Sequence, residues 1–200
     1  VGGDTTRGAL SVGVTVHGFV EPGRALRRDG ARAGDDVWVT GTLGDAAAAL
    51  AAKFAGATLD RSLRDRLDRP TPRIEAGRAL AGLAGACIDV SDGLLADLGH
   101  VCAASGVGAE IELDRLPASA ALARFPAATR WPWQAGGGDD YELCFTAAPE
   151  RRDAVLRAMQ AVSTPVARIG RVVAGDAVRA IDPAGATWPP PRDGYAHFAV

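Results

Sequence analysis

Three short stretches set carboxylates directly beside glycine: Gly136-Gly137-Gly138-Asp139-Asp140-Tyr141-Glu142-Leu143, Asp89-Val90-Ser91-Asp92-Gly93 and Gly2-Gly3-Asp4-Thr5-Thr6-Arg7-Gly8. Each lies where an apolar, strand-like run begins or ends. Carboxylates crowded together repel, so a fold that gathers several usually does so around bound cations. Glycine beside them lets a phosphate come close to the backbone. The pattern points to Mg²⁺-dependent handling of a nucleoside triphosphate.

Bulk properties narrow the field. Two hundred residues can bury one good-sized core or two small ones. A net charge of −2 argues against a broad basic face for nucleic acid. No apolar run approaches the roughly 20 residues that span a bilayer, and no leader opens the chain. Lys53 is the only lysine, so phosphate contacts must come from arginine, backbone N–H or metal. Cys87, Cys102 and Cys144 are an odd number without C-x-x-C spacing and sit among apolar residues, which predicts buried, reduced thiols in a cytoplasmic protein. His17, His100 and His197 form no zinc-binding pattern. The chain starts at Val1, immediately before a glycine-rich motif, and reads as part of a longer polypeptide.

Hydrophobic periodicity predicts strands over 9–20, 35–41, 86–90, 109–113, 141–147, 165–173 and 178–181. It predicts helices over 45–54, 60–68, 74–82, 92–104 and 150–162, with a short one from Leu116-Pro117. The helix over 60–68 alternates charge and reads as exposed, and 125–134, with Trp131-Pro132-Trp133, reads as irregular. The sum is an α/β (α+β) mixture, a mixed sheet flanked by helices, without the regular βαβ cadence of a doubly wound fold.

At Asp89-Val90-Ser91-Asp92-Gly93 a strand runs into a helix, whose N-terminus offers amide hydrogens to an anion. Two readings fit. Either Asp89 and Asp92 hold hydrated cations, or Ser91 or Asp92 caps the helix and Asp89 pairs with an arginine. A carboxylate at position 89 inside an apolar strand predicts a costly burial unless something compensates it. Asp139 and Asp140 precede a strand and must point to opposite faces, so one is free for a ligand while the other makes a structural bond. A solvated acidic hairpin turn is the alternative. Gly2 to Gly8 lacks the Walker pattern but supplies Asp4 as a metal ligand and Gly3 as a close-approach position. Arg24, Arg27 and Arg28 follow Gly23 in an expected short helix, from which one guanidinium can reach a phosphate.

Together these residues resemble the C-terminal three-fifths of bacterial thiamine-monophosphate kinase. The resemblance adds His17-Gly18, Gly23-Arg24-Ala25-Leu26, Val39-Thr40-Gly41-Thr42-Leu43-Gly44-Asp45, Asp97-Leu98-Gly99-His100 and Gly194-Tyr195-Ala196-His197-Phe198, in order along nearly the whole chain. It implies the aminoimidazole ribonucleotide synthetase-like superfamily, with residues 1–20 ending an N-terminal ATP-binding domain and 21–200 forming the C-terminal α/β domain. It further implies transfer of the ATP γ-phosphoryl group to thiamine monophosphate, giving thiamine diphosphate, in a cytoplasmic homodimer joined through the N-terminal domain. Carried over by position, Gly3, Asp4, Arg28 and Ser91 contact ATP, and Asp4, Asp89 and Asp92 bind Mg²⁺. Asp139, where the family usually has Glu, and Tyr195 contact the thiamine substrate. Further metal ligands lie upstream in the family, so these residues alone are expected to be inactive. Another ATP-dependent synthetase of the superfamily, or a non-catalytic domain binding nucleotide or a partner, are the alternatives.

Overall fold

In the computed structural model, residues 12–190 are described. Their centre is a seven-stranded sheet ordered β2-β4-β1-β5-β3-β6-β7. The strands are β1 (Asp36–Thr40), β2 (Ala86–Asp89), β3 (Gly108–Glu112), β4 (Leu143–Ala147), β5 (Val166–Val173), β6 (Val178–Ile181) and β7 (Thr187–Trp188). Neighbours are antiparallel except β3 and β6. The helices are α1 (Asp45–Phe54), α2 (Arg61–Asp68), α3 (Ile74–Leu80), α4 (Leu94–Ser105), α5 (Ala127–Gly136) and α6 (Arg152–Ala161).

Both faces of the sheet are covered at its β2-β4-β1 end, and side-chain alternation sorts residues between them. Val37, Val39, Ile88 and Cys144 join Leu94, Leu98 and Val101 of α4 in one core. Trp38, Cys87 and Phe145 face the other way, against Ala76 and Leu80 of α3 and Val155 and Met159 of α6. Strands buried on both faces read as unbroken apolar runs, which is why Val37-Trp38-Val39 shows no polar alternation. Trp38 and Phe145 stack across β1 and β4 with centroids 6.3 Å apart. Asp36, almost fully buried, takes a two-pronged guanidinium from Arg152 at 2.5 and 2.8 Å. All three cysteines are free and buried; burial pushes the Cys87 thiol up to about 12, Cys102 up to about 11 and Cys144 higher still. Among the described residues, no helix is long and apolar enough to cross a membrane.

Several elements differ from the sequence reading. Residues 12–20 carry no strand; Val12, Val14, Val16 and Phe19 are exposed, and the alternation there has no partner strand among the described residues. Arg24, Arg27 and Arg28 lie in a turn and extended loop, not a helix. In place of a helix from Leu116, single 3₁₀ turns occupy Leu113–Arg115 and Leu122–Arg124. The largest correction is α5, a ten-residue helix that keeps Pro132 in its interior. Proline there forfeits a backbone bond, and tertiary contacts outweigh the loss. Trp133 meets Phe125 edge-on at 5.2 Å, and buried Gln134 donates to the Leu116 and Pro117 carbonyls. The helix α2 is not wholly exposed either: Leu63 is buried, and Arg66 turns inward.

Candidate functional site

The C-terminal end of β2 and the N-terminal end of β4 are adjacent, with Asp89 opposite Leu143. Two of the glycine–acid loops therefore leave the sheet side by side. Their backbones continue the pairing beyond the strands. The Asp139 amide donates to the Ser91 carbonyl (2.9 Å), the Tyr141 amide to Val90 (2.8 Å), and the Val90 amide to Glu142 (2.8 Å). Gly138 makes this approach possible, because a Cβ there would lie 2.3 Å from the Ser91 carbonyl oxygen. Asp139 and Tyr141 sit at φ 66° and 50°, in the left-handed region that side chains other than glycine rarely occupy.

The two acids of this loop do separate, though by left-handed turns and not by strand alternation. Asp139 is exposed, whereas Asp140 is buried and accepts the Gly44 amide at the start of α1 (2.8 Å). Tyr141 is 42% exposed, its hydroxyl 3.5 Å from Asp139 Oδ1. Its phenol is raised above the ordinary tyrosine range by burial first, then by the negative field of Asp139, Asp89 and Asp92. Three aspartates from two loops thus act on one ring.

The expectation of a buried Asp89 is overturned. β2 ends at that residue and its side chain is exposed, so no burial penalty needs offsetting. Asp89 lines a groove of about 590 Å³ with Leu26, Arg27, Arg28, Ile88 and Leu143. In that groove Arg27 is held by Asp29 at 2.8 Å, while Arg28 is exposed. Neither Ser91 nor Asp92 caps α4. Gly93 precedes the helix, and Asp97 folds back so that Oδ2 accepts the amides of Ser91, Asp92 and Gly93 at 2.9, 3.0 and 3.2 Å. The helix start therefore spends these donors on its own carboxylate. Burial raises the Asp97 carboxyl above its ordinary value, although the three amides pull it down. Gly3, Asp4 and Tyr195 lie outside the described residues. Among the described residues no three histidine, cysteine or acidic side chains gather closely enough to hold a metal ion by themselves.

An ionic cluster that periodicity could not single out holds the end of the 136–142 loop. Glu142 is completely buried. Arg73 grips it two-pronged at 2.6 and 2.6 Å, Arg66 adds a bond at 2.8 Å, and the Thr40 hydroxyl donates at 2.7 Å. Asp45 accepts from Thr42 and Ser119 at 2.7 and 2.6 Å, with Arg66 Nε 3.9 Å away. Burial pushes the Asp140 carboxyl well above the usual carboxylate range; the Gly44 amide and Arg66 oppose this, while Asp45 and Glu142 add to it. The only signal in the sequence was Glu142 itself, a charge at the threshold of a buried strand.

Residues 32–183 match the family model described as AIR synthase related protein, C-terminal domain. The chain belongs to that family. It is 44% identical over 210 residues to the thiamine-monophosphate kinase of Salmonella typhimurium, a match covering 100% of this chain and 63% of that protein. Among solved structures, the thiamine-monophosphate kinase of Stenotrophomonas maltophilia K279a superposes with a TM-score of 0.77 at 48% identity, over 80% of this chain and 54% of the other. AaThiL complexed with AMPPCP and TMP follows with a TM-score of 0.71 at 34% identity, over 86% of this chain and 54% of that one. The chain therefore spans less than two thirds of the length of these relatives.

Proposed function

We propose that these residues form the C-terminal part of an ATP-dependent thiamine-monophosphate kinase, which moves the γ-phosphoryl group of ATP onto the phosphate of thiamine monophosphate. The observation that carries this reading is 44% identity to a thiamine-monophosphate kinase along the entire chain. The meeting of the 89–93 and 136–142 loops supports it, as does the AMPPCP and TMP complex of a 34%-identical relative.

The residues suit Mg²⁺. It prefers oxygen ligands and commonly takes one or two carboxylates, with substrate phosphates and water completing the shell. Asp89 and Asp92, at one strand-to-helix turn, supply such a pair, and Asp4 would be a third ligand from outside the described residues. When bound, Mg²⁺ supplies neutralisation of the phosphate charges that would otherwise keep two anions apart. The protein's own part is positioning. Arg28, exposed in the groove that Asp89 lines, is suited to a nucleotide phosphate, with Gly3 and Ser91 beside the triphosphate. Exposed Asp139 carries a negative charge toward the cationic thiazolium ring of the acceptor, with Tyr195 as a further contact. The acceptor phosphate is anionic at neutral pH, so in-line transfer needs no strong general base and no phosphoenzyme. A cytoplasmic homodimer belongs to the same proposal.

Incubating the full-length protein with ATP, Mg²⁺ and thiamine monophosphate should yield thiamine diphosphate and ADP in equal amounts, read by thiochrome fluorescence and a coupled ADP assay. ADP formation that ignores thiamine monophosphate and follows another acceptor would sink the proposal.

A further inference from the structure

The geometry points to Glu142 as a positioning residue: its buried clamp by Arg73, Arg66 and Thr40 sets the register in which the Asp139–Tyr141 turn pairs with Val90–Ser91, and so where Asp89, Asp92 and Asp139 face. Its role in turnover rests on the kinase reading above; its role in loop register does not.

Two residues in three hold left-handed backbone between Asp139 and Tyr141. Such strain persists only where the surroundings over-determine the conformation. The restraints converge just after the turn. Glu142 Oε1 and Oε2 receive four bonds from three separate elements: Arg66 on α2, Arg73 at the start of α3, and Thr40 at the end of β1. Arg66 also donates to the Asp140 carbonyl at 3.1 Å, and the Leu143 amide donates to the Thr40 hydroxyl at 2.9 Å. Residues 140, 142 and 143 are thus fixed by side chains from outside their own loop. The backbone of 139, 141 and 142 pairs with that of 90 and 91, whose far side Asp97 holds through the Ser91 amide.

Gly41 shows how close the fit is. A Cβ at that position would lie 2.0 Å from Glu142 Oε1, so only glycine leaves the carboxylate its seat. A planar guanidinium fork fixes orientation as well as distance, which a point charge cannot do. The clamp therefore transmits the placement of α2 and α3 to a rim that neither helix touches through these arginines directly.

The test separates register from stability, using full-length protein. Three variants are compared with wild type: Glu142→Gln, Arg73→Lys, and a triple replacement of Glu142→Leu, Arg66→Met and Arg73→Met. The triple variant removes the charges of the clamp at similar volume and leaves Asp45 with the Thr42 and Ser119 hydroxyls and Asp140 with the Gly44 amide; replacing a buried ionic network by apolar groups commonly preserves stability. Amide exchange followed by NMR should accelerate at least 10-fold at Val90, Asp139 and Tyr141 in all three, while Leu98 and Phe145 amides keep their protection. Turnover should fall at least 10-fold even where the triple variant melts at the wild-type temperature, and half-saturating Mg²⁺ should rise. Glu142 is merely structural if the triple variant recovers both stability and turnover. Unchanged exchange at those three amides overturns the register claim outright. Faster exchange with unaltered turnover overturns the catalytic consequence. If wild type makes no thiamine diphosphate, the kinase reading fails and the exchange arm alone decides the role of Glu142.

Discussion

Asp139 and Asp140 are neighbours in sequence, yet one belongs to an exposed acidic rim and the other to a buried ionic cluster. The rim comprises Asp89, Asp92 and Asp139; the cluster comprises Asp45, Asp140 and Glu142 with Arg66 and Arg73. Both regions hold three carboxylates. Asp89 and Asp139 are exposed and Asp92 is half-buried, so water solvates much of the rim's charge and its acids cost little to fold. In the cluster every acid must be matched by a guanidinium, an amide or a hydroxyl, because an isolated buried charge is expensive. Burial, not residue type, divides the two sets of acids here.

The comparison breaks most visibly at Arg73. Arg73→Ala should cost about 3 kcal/mol of stability by removing two of the four bonds to buried Glu142, which keeps Arg66 and Thr40, measured by urea denaturation. Asp139→Asn on the rim should stay within about 0.5 kcal/mol. Equal losses at the two sites would erase the distinction.

Asp92→Asn gives the reverse pattern. On the proposed function, turnover of the full-length protein should drop by about 100-fold, equivalent to about 2.7 kcal/mol of barrier, while the melting temperature hardly moves. Steady-state kinetics across a Mg²⁺ titration checks this. Wild-type turnover together with an unshifted half-saturating Mg²⁺ concentration would remove Asp92 from the proposed metal ligands.

Gly138→Ala tests the joint between the two regions. The added methyl meets the Ser91 carbonyl at 2.3 Å, so the loops must part or strain. A stability loss of about 1–3 kcal/mol is expected, together with faster amide exchange at Asp139. A fully protected Asp139 amide in this variant would show that the loops do not depend on close approach.

The two loops that pair at the ends of β2 and β4 were marked in the sequence because glycine beside acid at a strand end is a local signal. The strands β1, β4 and β5 and the helices α1 and α6 were legible too, to within a few residues, since their apolar periodicity is strong. What the sequence hid was non-local. Arg66 looked like one more charge on an alternating, solvated helix; only the fold shows it reaching Glu142, 76 residues away. Pro132 argued against α5, and the contacts that override it come from Phe125, Leu116 and Pro117. Asp97 replaced Ser91 and Asp92 as the partner of the helix-start amides because it could fold back over all three at once. The burial of Asp89 was misjudged because its strand ends one residue earlier than its apolar run.

The most gradual effect, one that builds with pH, lies within the cluster itself. Asp140 is the least compensated of the buried acids: Oδ2 accepts the Gly44 amide, but Oδ1 is buried with no hydrogen-bond partner among the described residues. Its carboxyl is held well above the usual range in the folded protein by burial, with Asp45 and Glu142 adding to the shift and Arg66 opposing it. A raised folded-state value means that the native protein keeps a proton which the unfolded chain releases near pH 4. The stabilisation from that proton is complete below the unfolded value and declines as pH rises through the folded one. Asp140→Asn keeps the shape and the acceptor for Gly44 without a titratable proton. Relative to wild type, the variant should therefore gain stability with rising pH, by at most about 1.4 kcal/mol per pH unit within that window. Urea midpoints collected from about pH 4 upward measure the slope. Parallel curves for the two proteins would mean that Asp140 is ionised in the fold and that Arg66, not a retained proton, balances it.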